Sequence, residues 1–220
     1  MELFSRAFWD RYRAVLNDYF EEKWNNEWVE SEVLYEYRSG TAIDIRDILK
    51  LDTEEEEQKL KELIVVKLDM PNDHRMLAIL QFVFATINYI RDNKVWRKPE
   101  YWQNAYTTYW LKTGDCEDMA ILIYKLARLS GVPIYRMRIA TGLTSNKIGH
   151  AYLLYLKEKD NRWYSLDAAY FASNSIKAYT NDIPHADRKE YGNLWWTFNE
   201  EHSWAQTSLK IIVNGDVIDG

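Results

Sequence analysis

Gly114-Asp115-Cys116-Glu117-Asp118-Met119-Ala120, with the apolar run that carries on to Leu129, decides how this chain folds. The run reads as a buried helix from about Cys116 to Leu129. Gly131-Val132-Pro133 ends it, with one flexible residue and one that cannot continue a helix. An aromatic-rich connection from Trp96 to Trp110, broken by Pro99, precedes it. Cys116 therefore falls at a helix N-terminus, where the helix dipole and unpaired backbone N–H groups favour a thiolate. The same N–H groups can receive an oxyanion. Asp115, Glu117 and Asp118 oppose ionisation if they point at the sulfur, so a cationic base is needed.

Downstream the periodicity changes from helix to strand. Ile134 to Ala140 alternates apolar and basic residues, Ala151 to Leu156 is continuously apolar, and Trp163 to Ala169 is a third candidate strand. Lys157 to Arg162 is a polar turn of hairpin length. Pairing through a turn centred near residue 158 or 159 sets His150 opposite Asp167, or within two residues of it. An Asp accepting the imidazole N–H fixes its tautomer, and the other ring nitrogen can then take a thiol proton. Leu209, Ile211 and Val213 before Asn214-Gly215 signal a further hairpin.

Upstream, Pro71 with Asn72 or Asp73 as cap opens a helix whose apolar set is Met76, Ile79, Leu80, Val83, Ile87 and Ile90. Residues 3 to 20 carry Phe4, Phe8, Tyr12, Val15, Leu16, Tyr19 and Phe20 on one helical stripe. Asp52 to Glu57 is an acidic run that reads as a solvated face, and Glu54 to Leu68 as helical. Helices come first and an antiparallel sheet follows, so the fold class is α+β. The expected division is a helical extension over 1–70 and a catalytic domain over 71–220.

The 220 residues suffice for one sizeable domain with an appendage. A net charge of −6 speaks against a phosphate-binding surface and hence against nucleic acid. No run approaches the roughly 20 apolar residues of a membrane helix. Glu2, Arg6, Asp10 and Arg11 interrupt the stretch a secretory signal would need, so a soluble, cytoplasmic protein is expected. The single Cys excludes an internal disulfide and any zinc site built on paired thiolates. An unpaired Cys is most often a small buried hydrophobe; its place at a helix start argues for chemistry.

Lys112 to Ala120, Gly149-His150-Ala151-Tyr152 and Trp163-Tyr164-Ser165-Leu166-Asp167 together resemble the three core motifs of the transglutaminase-like cysteine hydrolase superfamily. The resemblance spans about residues 75 to 172 and is nearest to the bacterial transglutaminase-like cysteine proteases. It implies a papain-like core, with the nucleophile helix packed on an antiparallel sheet, and a Cys116, His150, Asp167 triad. Fold alone does not fix the reaction. The acids about Cys116 also look like those with which such proteases hold calcium. They are read instead as favouring the first helical turn, and no metal or other cofactor is assigned.

For a second oxyanion donor the candidates are Trp110 through its indole N–H and Gln103 or Asn104 through a side-chain amide. His74, His185 and His202 read as surface or capping residues. Tyr191, Trp195, Trp196, Phe198 and Trp204 read as core, with a groove edge as the alternative. The leading function is a thiol hydrolase cleaving a peptide, isopeptide or related amide of a peptide or protein substrate through an acyl-enzyme on Cys116. Two others compete: a transglutaminase passing the acyl group to an amine, and a non-catalytic assembly protein, for instance in a virus particle, that binds partners through its N-terminal helices.

Overall fold

The computed structural model describes residues 28–36, 42–64, 70–169, 172–206, 209–213 and 216–219. The helix expected over residues 3 to 20, and with it any partner surface there, lies outside these.

Three short strands come first, β1 (Trp28–Glu30), β2 (Leu34–Glu36) and β3 (Ala42–Asp44), then a 3-10 turn at Ile45–Lys50. Within the described part of the expected helical extension, residues 28–44 thus hold short strands, with helical turns only from Ile45 onward. While β3 pairs locally with β2, β1 and β2 find partners far away in the chain, β1 with residues 204–206 and Tyr35 with Ile212. No local pattern encodes such pairings. α1 (Glu54–Glu62) does begin in the acidic run. Thr53 and Glu56 cap it reciprocally, the Thr hydroxyl accepting from Glu56 N–H at 3.3 Å and the Glu carboxylate from Thr53 N–H at 2.8 Å. Asp52 departs from the solvated reading: it is buried and accepts from Tyr106 N–H at 2.9 Å.

α2 (Asn72–Thr86) starts at Pro71 with no side-chain cap. Asp73 is engaged elsewhere, accepting from the Tyr155 hydroxyl at 2.8 Å and from the N–H groups of Glu158 and Lys159. It ties the helix start to the turn of the later hairpin. Met76, Ile79, Leu80 and Val83 are buried as the stripe requires, but the backbone turns extended at Ile87, leaving Ile90 exposed. There follow β4 (Asn88–Tyr89), α3 (Asp92–Val95), α4 (Ala105–Leu111), β5 (Thr113–Gly114) and α5 (Cys116–Leu129). The rest is β6 (Met137–Thr144), β7 (Gly149–Leu156), β8 (Trp163–Leu166), α6 (Ala172–Thr180), β9 (Tyr191–Phe198), β10 (Ser203–Gln206), β11 (Leu209–Val213) and β12 (Asp216–Asp219), with 3-10 turns at Ile134–Arg136 and His185–Asp187.

The main sheet has the order β1-β10-β9-β6-β7-β8, antiparallel throughout. A second sheet runs β12-β11-β2-β3, and β4 lies parallel to β5. α5 is the centre of the core: every residue from Glu117 to Ala127 is buried, with β7 on one side and α1, α2 and α4 around the rest. Each large apolar side chain so buried contributes about 1.5–3 kcal/mol. Ile45, Ile48, Leu49 and Leu60 belong to the same cluster as Met76, Leu122 and Leu153. Lys125 of α5 also reaches back to Asp52 at 3.3 Å and Glu57 at 2.9 Å. Residues on either side of position 70 therefore share one core. No described helix is long and apolar enough to cross a membrane.

Candidate active site

Cys116 is the first residue of α5 and is half-buried. The turn before it needs Gly114, because a Cβ there would lie 2.6 Å from Asp118 Cβ and 2.8 Å from its Oδ2. That vacancy lets the Asp118 carboxylate fold back over the helix start and accept from Asp115 N–H at 3.3 Å. β4 holds the same turn from outside, pairing Tyr89 with Gly114, while Ile90 N–H donates to Gly114 O at 3.0 Å. Backbone ladder and buried carboxylate together fix where the sulfur sits.

His150 is the second residue of β7. The observed register pairs Leu153 with Leu166, so Asp167, one step past β8, falls beside Tyr152 and diagonal to His150. The diagonal closes: His150 Nε2 lies 2.6 Å from Asp167 Oδ2, with both side chains buried. Asp167 accepts from two more donors, the Tyr191 hydroxyl on Oδ2 at 3.1 Å and Ala169 N–H on Oδ1 at 3.0 Å. With Nε2 given to Asp167, Nδ1 is the nitrogen left for the Cys116 side chain, which acts on the imidazole both as a hydrogen-bonding partner and as a charge. Burial by itself would lower the His150 pKa. The Asp167 charge and hydrogen bond, with Cys116 added, outweigh it and lift the value to about 10. The imidazolium is therefore the resting form at neutral pH.

Cys116 and His150 face one cleft of about 460 Å³. Tyr35, Tyr89, Trp102, Trp195 and Trp196 give it aromatic walls, and Arg91, Ile148 and Gly149 line it further. The aromatic cluster read as core divides accordingly. Tyr191, Phe198 and Trp204 are interior, while Trp195 and Trp196 also wall the cleft. His185, expected at the surface, is fully buried, with Nε2 3.4 Å from the Tyr152 hydroxyl.

None of the three oxyanion candidates lines the cleft. Trp110 is 69% exposed on α4 and stacks on Tyr106, 6.2 Å between ring centroids. Gln103 is fully buried, but its donors are spent: its backbone N–H goes to Asp118 Oδ1 at 2.7 Å and its amide to Asp118 Oδ2. Asn104 caps α4 through Thr107 N–H at 3.1 Å. The donors left at the sulfur are the backbone N–H groups that open α5.

Sequence reading missed Asp92 and Glu100. Asp92 opens α3 and Glu100 comes from the aromatic-rich connection; they join Asp115, Glu117 and Asp118 beside the nucleophile, with ligand-capable oxygens of Asp92, Asp115 and Asp118 within 4.8 Å of one another. Burial, reinforced by neighbouring carboxylates, pushes Asp92, Glu117 and Asp118 well above the ordinary carboxylate range. The Cys116 thiol itself donates to Glu117 Oε2 at 3.2 Å. Asp92 Oδ1 and Asp115 Oδ1 are buried with no hydrogen-bond donor among the described residues. Orphaned oxygens in a crowd of carboxylates fit a hard divalent cation, which takes such ligands and offsets their repulsion.

The description "bacterial transglutaminase-like cysteine proteinase BTLCP" fits residues 50–169, more than half of the chain. Among solved structures, Legionella pneumophila LapG in its calcium-bound form is similar at a TM-score of 0.52 and 22% identity, over 74% of this chain and 88% of that one. An EGTA-treated LapG from the same organism gives 0.50 and 18%, over 80% and 88%. These likenesses establish the shared fold. No curated protein matches the chain in sequence. Through the matched residues, which carry Cys116, His150 and Asp167, the chain belongs to the bacterial transglutaminase-like cysteine proteinases, a family of cysteine peptidases.

Proposed function

We propose that the chain hydrolyses a peptide or related amide bond of a polypeptide through an acyl-enzyme on Cys116. The observation that carries this is the buried His150–Asp167 pair at 2.6 Å, opening onto the same cleft as a thiol at a helix start. In the reactive form the thiol proton rests on His150 as the imidazolium, and the sulfur attacks the carbonyl carbon, giving a tetrahedral oxyanion that faces the N–H groups opening α5. The imidazolium then protonates the leaving amine. In the second half, neutral His150 takes a proton from water, hydroxide displaces the thiol from the thioester, and acid product leaves. Asp167 holds Nε2–H throughout and stabilises the imidazolium. Aromatic walls supply apolar contact for an extended chain and limit water at the sulfur.

Calcium is the cation we assign to the acidic cluster, with Asp92, Asp115 and Asp118 holding it and Glu100 beside them. When bound it supplies positive charge that offsets the carboxylates near the nucleophile. Asp115 and Asp118 then fix the turn before Cys116, and Asp92 fixes the segment that follows β4.

A pure scaffold has no use for a buried ionic pair aimed at the chain's only thiol, so the assembly reading is set aside. The test is Cys116→Ala against the parent on a peptide library, with a thiol-directed acyl probe alongside. Loss of both cleavage and labelling in a folded variant supports the reading. Cleavage that survives the substitution refutes it.

A further inference from the structure

Behind the catalytic face, three separated segments converge on Asp167. Tyr191, the first residue of β9, is buried and gives its hydroxyl to Asp167 Oδ2 at 3.1 Å, the oxygen that also takes His150 Nε2 at 2.6 Å. Ser175 of α6 lies 3.3 Å from the Tyr191 hydroxyl. Arg188 Nη1 donates to Ser175 Oγ at 3.3 Å, and its guanidinium sits 5.1 Å from the Tyr191 ring centre. The rings are ordered as well. Tyr191 lies nearly parallel to the His150 imidazole, 15° between planes and 6.4 Å between centroids, and packs on Tyr152 at 4.2 Å, which in turn stacks on His150 at 5.7 Å.

We propose that Tyr191 is a positioning residue for the hydrolysis: its phenol, braced by Ser175 and Arg188, fixes the Asp167 carboxylate and through it the orientation and tautomer of His150. The proposal rests on the Cys116, His150, Asp167 reading and adds a fourth, indirect participant. A carboxylate rotates broadly about its last side-chain bond. Ala169 N–H tethers Oδ1, but Asp167 lies past the end of β8, so the strand ladder adds no restraint there. The second donor on Oδ2 defines the carboxylate plane, and a plane held to within about 10–20° is what a productive imidazole requires. Burial and the Asp167 charge keep the phenol protonated, so it remains a donor.

Tyr191→Phe removes the hydroxyl and keeps the ring. We expect kcat to fall by about 10- to 100-fold, the span covered by a hydrogen bond to a charged group, with KM within about twofold of the parent. Alkylation of Cys116 by iodoacetamide should slow in parallel, a clean readout because the chain has one Cys. The deciding measurement is the double-mutant cycle with Asp167→Asn. A residue acting through Asp167 costs less than about twofold once that carboxylate is gone, whereas a merely structural one costs the same in both backgrounds. If Tyr191→Phe does not fold, Ser175→Ala carries the same cycle with a smaller expected loss of about 3- to 10-fold. Parent-like kcat in the folded variant, or equal losses in both backgrounds, overturns the proposal. Should Cys116→Ala retain cleavage, the triad reading itself fails, a different result from any of these.

Discussion

Asp167→Asn perturbs the site at one atom and should be costly. The imidazole keeps a neighbour, but the buried negative charge that lifts His150 to about 10 is gone. Against an ordinary histidine at 6.5, that elevation corresponds to about 5 kcal/mol at roughly 1.4 kcal/mol per pH unit. Burial, opposed now by Cys116 without the Asp167 charge, then favours the neutral ring. An Asn whose amide NH₂ faces the ring also selects the wrong tautomer, so we expect peptide cleavage to fall by about 10² to 10⁴. The pH profile gives the second signature. In the parent, the imidazolium persists below its raised pKa, so activity should decline on the alkaline side near pH 10, and in the variant that limb should move down by more than about two pH units. The sign for stability agrees. A raised folded-state pKa makes the ion pair's contribution complete below the unfolded value of about 6.5 and removes it as pH climbs through about 10. Cleavage rates and Cys116 alkylation from pH 5 to 11 check both. Parent-like rate with an unmoved alkaline limb would refute the assignment of Asp167.

The acidic cluster predicts a calcium effect that can be read without activity. Buried carboxylates with raised pKa values stabilise the fold while protonated and destabilise it as pH rises through those values. Calcium at about 100 times its Kd should then raise the melting temperature by roughly 5–10 °C, more at pH 9 than at pH 5, and EGTA should reverse it; a melt indifferent to calcium at pH 9 counts against the site. Trp110→Ala should leave kcat/KM within about twofold, since the indole is exposed and away from the cleft; a hundredfold loss would restore it as an oxyanion donor. Gly142→Ala places a Cβ 2.3 Å from Asn193 O and 2.7 Å from Leu194 Cα. It should therefore cost about 1–3 kcal/mol in chemical denaturation by forcing β6 off β9.

What could be read from sequence was what the chain encodes locally. The nucleophile helix has the expected bounds, Cys116–Leu129, because its apolar run and its Gly-Val-Pro stop sit next to each other. The His150–Asp167 contact was readable because a short polar turn leaves little freedom of register, and the observed pairing has the two residues diagonal. Residues 28–44 failed for the opposite reason. The distant partners of β1 and β2 are β10 and β11, more than 160 positions away, and three-residue strands carry too little periodicity to announce themselves. Asp92 and Glu100 were hidden in the same way. Only the pairing of β4 with β5 brings their segment alongside the turn before Cys116.

The oxyanion candidates show a subtler limit. Gln103 lies near the nucleophile in sequence and has the right chemistry, yet a polar group serves a reaction only with donors to spare. Asp118, fully buried as the fifth residue of the Gly114–Ala120 motif, must satisfy its carboxylate, and Gln103 is the residue that does so twice. The demand originates at Gly114, whose missing Cβ admits the Asp118 side chain over the helix start. One glycine thus commits a carboxylate, the carboxylate commits a glutamine, and the backbone N–H groups opening the nucleophile helix inherit the task of meeting the oxyanion. Restoring bulk at that position tests the chain of dependence. Gly114→Ala should displace Asp118 and free the Gln103 amide, and should slow Cys116 alkylation by about tenfold or more through a moved helix start, whereas the parent rate would show that the turn tolerates the clash and that the dependence is not real.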